Sequence, residues 1–189
     1  MNKVFVGYDP REDIAYQVCK YSIETQSKNV SVHPLKQSEL RSAGWYKRPI
    51  DKLASTEFTF TRFLVPELTN FKGWALFIDC DMILQTDIQE LFDQADDKYA
   101  VMCVKHEYEV KEEFKMDGQK QTVYPRKNWS SVMLFNCEHP ANKRLTQDMV
   151  NSNELNGAYF HRFSWLEDDA QLGELDHTWN YLVGVYNDI

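Results

Sequence analysis

The sequence predicts an α/β fold with a mostly parallel central sheet flanked by helices. Three observations predict it. A strand, a helix and a second strand follow one another within the first 35 residues, a βαβ pattern whose two strands run parallel. Two continuous apolar runs, WALFI from Trp74 to Ile78 and SVMLF from Ser131 to Phe135, read as strands buried on both faces. Hydrophobic residues make up 43% of the 189, enough for a sizeable core in a single domain.

Each element has its own reason. KVFVGY, Lys3 to Tyr8, is β-branched and aromatic and stops at Asp9-Pro10, so it reads as a strand and a turn. From Arg11 to Ser27, Ile14, Val18, Tyr21 and Ile23 recur at helical spacing, with Glu12 and Asp13 in the first turn where the helix dipole favours acids. Val30 to Leu35 is the second strand. Lys36 to Lys52 is polar with Gly44 and Pro49 and reads as an irregular loop. Ser55 to Leu68 is expected to be helical on Phe58, Phe60, Phe63, Leu64 and Leu68, with Pro66 near its end. Asp87 to Asp93 is a short helix and Tyr99 to Val104 a further strand. Lys105 to Lys127 reads as a mobile insertion with a local basic bias from Lys105, Lys111, Lys115, Lys120, Arg126 and Lys127. Pro140 to Val150 is a helix with proline in its first turn. Beyond Asn151 the pattern weakens.

Composition excludes several functions. Lys and Arg number 21 against 29 Asp and Glu, for a net charge of −8, the wrong sign for general nucleic-acid binding. Apolar stretches run to about five residues, against roughly twenty for a membrane span. No signal peptide is visible, so the expected compartment is the cytoplasm. Cys19, Cys80, Cys103 and Cys137 form no CxxC or CxxH pair, so they are expected as reduced, buried thiols and not a zinc site. No GxGxxG, GxxxxGK[ST] or GxSxG occurs, which disfavours dinucleotide binding, P-loop hydrolysis and the esterase elbow.

The chemistry concentrates at Asp79-Cys80-Asp81, directly after the buried WALFI strand. In an extended segment residues i and i+2 point to one side, so both carboxylates face one site at the carboxyl end of a strand. Ligands of open α/β sheets bind at that edge. Two adjacent acids repel and raise a pKa unless a positive partner stands between them. A hard divalent cation, Mn²⁺ or Mg²⁺, is such a partner. The competing reading is a turn with two solvated acids.

The run STEFTFTRFLVPELTNFKGWALFIDCDMIL, Ser55 to Leu84, resembles the donor-binding stretch of GT-A glycosyltransferases of the family 8-like group. KVFVGYD looks like that fold's first, nucleotide-binding strand. PRKNWSSVMLFNC, Pro125 to Cys137, looks like the strand lining its sugar pocket. WLEDDAQLGELDHTWNYLVG, Trp165 to Gly184, is similar to the acidic segment and Trp-Asn corner that close the active site. The resemblance implies a GT-A-like, Rossmann-like domain over residues 1–189 that stops short of the usual C-terminal segment. It implies a metal-dependent glycosyltransferase acting on a nucleotide-sugar, a UDP-sugar in the first place, and an unknown acceptor. By the same resemblance, Asp79 and Asp81 hold the metal, with Asp81 the firmer ligand and Asp79 on the ribose side. Tyr8 and Asp9 meet base or ribose, Arg62 a donor phosphate or sugar, and Cys80 and Ser131 the nucleotide-sugar. Asp168 and Asp169 fall around the transferred sugar, in the catalytic position. Two departures stand out. Trp129-Ser130-Ser131 replaces the family's Asn-x-Gly, and the family's later His ligand has no counterpart before Ile189. A haloacid-dehalogenase-like phosphatase, suggested by FIDCDMIL, and a non-catalytic sugar-nucleotide binder are the alternatives.

Overall fold

The computed structural model describes residues 1–50, 54–107 and 125–186. Of the insertion expected over 105–127, residues 108–124, with Lys111, Lys115 and Lys120, lie outside the described residues. Strand β1 (Asn2–Gly7) is buried from Val4 onward. Helix α1 (Asp13–Gln26) returns the chain to β2 (Val30–Leu35), which pairs with β1 in parallel. Helix α2 (Gln37–Ser42) follows, then α3 (Val65–Leu68) and β3 (Trp74–Ile78), parallel to β1 on its other side. Helix α4 (Gln89–Phe92) leads to β4 (Val101–Cys103) and then β5 (Val132–Asn136). Two short helices, α5 (Gln147–Asn151) and α6 (Gly157–His161), precede β6 (Leu172–Glu174).

The sheet order is β2-β1-β3-β5-β4-β6. Only β5 opposes the others, antiparallel to both β3 and β4, so the sheet is mostly parallel as expected. Register sets Val4 beside Leu76 and Leu76 beside Leu134, all fully buried. Removing such side chains from water is the main term holding the sheet. A second cluster joins Phe63 to Phe160 at 5.2 Å and to Trp165 at 5.5 Å between ring centroids. The buried Trp165 indole donates to Asn142 Oδ1 at 3.1 Å, and Asn142 in turn donates to the carbonyls of Ala100 and Asn136. That network satisfies the strand-end polar groups that burial would otherwise penalise.

Several elements depart from the sequence reading. The buried face of α1 is Tyr16, Cys19, Ser22 and Ile23, whereas Ile14 is 81% and Tyr21 71% exposed. Residues 37–42 are helical inside the expected loop. Residues 55–68 are not one helix but turns, a 3₁₀ turn at Thr61–Leu64 and then α3. Side chains claim the backbone there. Glu57 N donates to the Asp9 carboxylate, Thr59 O pairs with the His161 ring, and Arg62 Nε donates to Phe58 O. The helix expected over 140–150 splits into a 3₁₀ turn at Pro140–Arg144 and α5, because the Thr146 hydroxyl caps a new start at Met149 N.

Candidate functional site

The carboxyl ends of β1 and β3 and the start of β5 meet at one edge of the sheet. Asp79 follows β3 directly, and its amide donates to Ser131 O at 2.9 Å, which continues the ladder by one residue. The chain leaves the strand in a turn at Cys80 and Asp81, which separates the three residues in exposure. Asp79 is half-buried, Cys80 is 1% exposed and Asp81 is exposed. The Cys80 thiol points away from solvent and donates to Glu12 Oε2 at 3.4 Å. Burial, followed by Glu12, pushes that thiol above its ordinary range.

Arg62 completes the edge. It is 5% exposed, with Nη1 2.8 Å from Ser130 O and 2.9 Å from Asp79 Oδ1. Its guanidinium lies 4.8 Å from the Phe77 ring centroid and 5.2 Å from that of Phe58. Asp79 is its ion-pair partner. Burial pushes the Asp79 carboxyl up to about 6, against the opposing pull of Arg62 and with a further push from Asp81. Phe58 reaches this layer because Gly7 has no side chain. A Cβ there would stand 2.5 Å from the Phe58 ring.

Of the other expected residues, Tyr8, Asp9 and Ser131 lie at the strand ends of this edge, while Asp168 and Asp169 precede β6; each has a partner in the fold. The Tyr8 hydroxyl donates to Asp13 at 2.9 Å, and its ring packs edge-on against Tyr16. Asp9 is fully buried. It accepts from Arg11 Nε and Nη2 at 2.9 and 2.6 Å and from the Arg11 and Glu57 amides. The Arg11 hydrogen bond holds its carboxyl below the usual range. Ser131 is half-buried beside Asp79. Asp168 caps the 3₁₀ turn Asp169–Gln171 through Ala170 N. Asp169 pairs with Arg126 at 2.6 Å, and the Arg126 guanidinium sits 5.5 Å from the Trp129 ring centroid. That chain of contacts connects the acidic segment to Ser130 and thence to Arg62.

Sequence reasoning left His161 and Ser130 without a role. The His161 ring bonds Ser130 Oγ at 2.7 Å and Thr59 O at 3.1 Å. Burial, and then the Arg62 charge, bring its pKa down to about 3. It is a neutral strut behind Arg62, and no spacing signal marks it. Asn180 of the Trp-Asn corner is 3% exposed and donates to Asn128 O at 3.0 Å, which fixes the loop before β5. Asn128 itself has φ 65°, a left-handed conformation that asparagine tolerates.

Among the described residues, no group of three or more His, Cys, Asp and Glu stands ready for a metal. The carboxylates of Asp79 and Asp81 are hard oxygen donors, and Asp79 Oδ1 is buried without a well-formed hydrogen bond. That donor set fits a cation that takes its remaining ligands from water or phosphate.

A mostly parallel sheet with one opposed strand, carrying paired aspartates on the turn after its buried β3, is the arrangement of the GT-A fold. The chain belongs to glycosyl transferase family 8, whose model matches residues 8–188. It is 55% identical over 183 residues to Protein CDI of Arabidopsis thaliana, an alignment covering 96% of this chain and 70% of that protein. The fold matches the glycosyltransferase GlyE of Streptococcus pneumoniae with TM-score 0.61 at 15% identity, over 97% of this chain and 47% of GlyE. The apo form of mouse xyloside xylosyltransferase 1 matches with TM-score 0.55 at 12% identity, over 94% of this chain and 86% of its own. The chain thus spans about half the length of GlyE, and these low identities establish a shared fold.

Proposed function

We propose that this chain transfers a sugar from a nucleotide-sugar, a UDP-sugar in the first place, to an acceptor in a step that depends on Mn²⁺ or Mg²⁺. The observation that carries the reading is the Asp79–Asp81 pair at the end of β3, backed by the buried Arg62. Asp81, exposed on the turn, is the firmer ligand, and Asp79 is steadied by Arg62. A divalent cation bound there supplies positive charge to the diphosphate as it leaves. Tyr8 at the end of β1 supports a role beside the base or ribose, and Ser131 one beside the donor. Asp168 and Asp169 sit on the capped turn tied to Arg126 and take the part nearest the transferred sugar. Cys80, buried on Glu12, holds the turn between the two carboxylates and so serves the donor indirectly. The four unpaired thiols suit a reducing compartment such as the cytoplasm. Family membership replaces the phosphatase alternative.

The test is a panel of UDP-sugars with Mn²⁺, read by release of nucleoside diphosphate. Release from one donor, lost in Asp81→Ala, supports the reading. Tight nucleotide-sugar binding without any release identifies a non-catalytic binder instead.

A further inference from the structure

One cleft among the described residues does not contain the paired aspartates. It encloses about 460 Å³, within the roughly 300–1,000 Å³ of small-molecule sites, and Glu57, Thr59, Phe60, Arg48, Asn156 and Gly157 are among its walls. It shares one wall with the aspartate edge. The segment 56–60 turns Thr59 and Phe60 into the cleft, while Phe58 packs under Gly7 and beside Arg62.

Arg48 is the group that calls for a ligand. It is 9% exposed, and its guanidinium stacks on Phe60 at 3.8 Å. Nη1 donates to the carbonyls of Val150 and Ser152, and Nη2 to that of Leu155. A guanidinium has five N–H donors. Among the described residues these carbonyls are its hydrogen-bond partners, which leaves Nε–H and one donor on Nη2 on a residue that lines the cleft. No carboxylate among the described residues pairs with Arg48, although a buried charge without a counter-ion is costly. A second cation stands just behind. Arg41 stacks on Tyr46 at 4.7 Å and bonds Gln37, both cleft residues, and its Nη2 is buried without a hydrogen-bond partner. The stretch Lys36 to Ile50 carries four basic residues against one acid, inside a chain of net charge −8. The rim adds Asn153 and Asn156, amides that both donate and accept, as sugar hydroxyls require.

We infer that this cleft binds the acidic group of an anionic saccharide, carboxylate or phosphate, and serves as the acceptor subsite of the transferase. The inference rests on the sugar-transfer reading for the word acceptor, but the cleft's chemistry stands apart from it. Arg48 receives the acidic group, and the rim amides receive the ring hydroxyls. Gly157 leaves the space open. A Cβ there would find its nearest neighbours at 3.8 and 3.9 Å, on His161 and Phe60, so a larger side chain fills the cleft without meeting backbone.

The experiment is calorimetric titration of the full chain with glucuronic acid, glucose 6-phosphate, glucose and inorganic phosphate, with and without UDP and Mn²⁺. One of the two sugar acids should bind about tenfold or more tightly than glucose, and which one does identifies carboxylate or phosphate as the group. Gly157→Val should weaken that binding about tenfold while Mn²⁺-dependent UDP binding persists. Arg48→Lys, which keeps the charge and loses the fork, should weaken it as well. Equal binding of glucose, equal binding of bare phosphate, indifference to Gly157→Val, or displacement of the sugar acid by UDP each overturns the inference. Sugar-acid binding in a chain that binds no UDP upholds the cleft and overturns the donor reading of the neighbouring edge. UDP binding with no sugar acid bound does the reverse.

Discussion

Removing the Arg62 guanidinium would leave the half-buried Asp79 without the cation 2.9 Å away, and would strand the Ser130 carbonyl that it satisfies. Arg62→Ala is therefore expected to lower stability by roughly 3–5 kcal/mol in urea unfolding, the cost of an uncompensated buried charge. Asp81 is exposed, so Asp81→Ala should change stability by no more than about 0.5 kcal/mol yet abolish Mn²⁺-dependent UDP binding in calorimetry. His161 gives a pH signature. Its pKa in the fold is about 3, against 6.5 for the free ring. The unfolded chain takes up the proton as pH falls through 6.5, and the folded chain does so only near 3. The stability that comes from keeping the ring neutral is therefore full above 6.5 and lost progressively below it. At pH 5 the loss is about 2 kcal/mol. His161→Gln should flatten the fall in melting temperature between pH 6.5 and 4; an unchanged slope would assign that fall to other groups. Of these residues the aspartates carry a local signal in the sequence, Arg62 is named by the family resemblance alone, and His161 by neither. Arg62 meets Ser130 and His161 meets Thr59 across separations of 68 and 102 residues, and no spacing rule reports such contacts.

At the level of elements, continuous apolar runs were the readable feature. Strand β3 matches WALFI end to end, since a buried strand needs every side chain apolar or small, and β2 matches Val30 to Leu35 although only Leu35 of it is buried. Helix α1 shows where that logic fails. Ile14, Val18 and Tyr21 form a stripe as regular as Tyr16, Cys19 and Ile23, and periodicity cannot say which stripe meets the sheet. Tyr16 is on the buried stripe, where it meets Tyr8 edge-on at the end of β1. Helix α2 has no apolar stripe to announce it. Gln37 instead ties it to Glu57 O and to Arg41. The segment 55–68 carried a helical pattern, but its backbone partners lie on other elements. The packing of that segment on β1 can be tested at Gly7, where a methyl would stand 2.5 Å from the Phe58 ring. Gly7→Ala should cost about 1–3 kcal/mol by overpacking, and Gly7→Ala with Phe58→Leu should recover part of it.

Over the whole molecule, the proposed metal site offers two carboxylates, so Mn²⁺ should bind weakly to the free chain and more tightly with UDP, whose phosphates supply further oxygens. Linkage makes the effect mutual, on the order of 5–150-fold in each affinity. Titrating Mn²⁺ with and without UDP checks it, and affinity unchanged by UDP would reveal a third protein ligand. The four cysteines, all free and buried, have a use of their own. Burial pushes Cys19 and Cys103 up to about 12, and attack requires thiolate, so a thiol reagent meets an inert native surface. Modification then proceeds only when a region opens, and its rate becomes a clock for that opening. Two of the clocks sit at the aspartate turn, where Cys80 lies between the carboxylates and Cys19 Sγ is 4.0 Å from Asp79 O. Cys103 and Cys137 sit at the ends of β4 and β5. UDP with Mn²⁺ should slow the first pair and leave Cys137, past the opposite end of β5, unchanged, so mass spectrometry of the labelled thiols would time the breathing of the donor edge separately from that of the far end of the sheet.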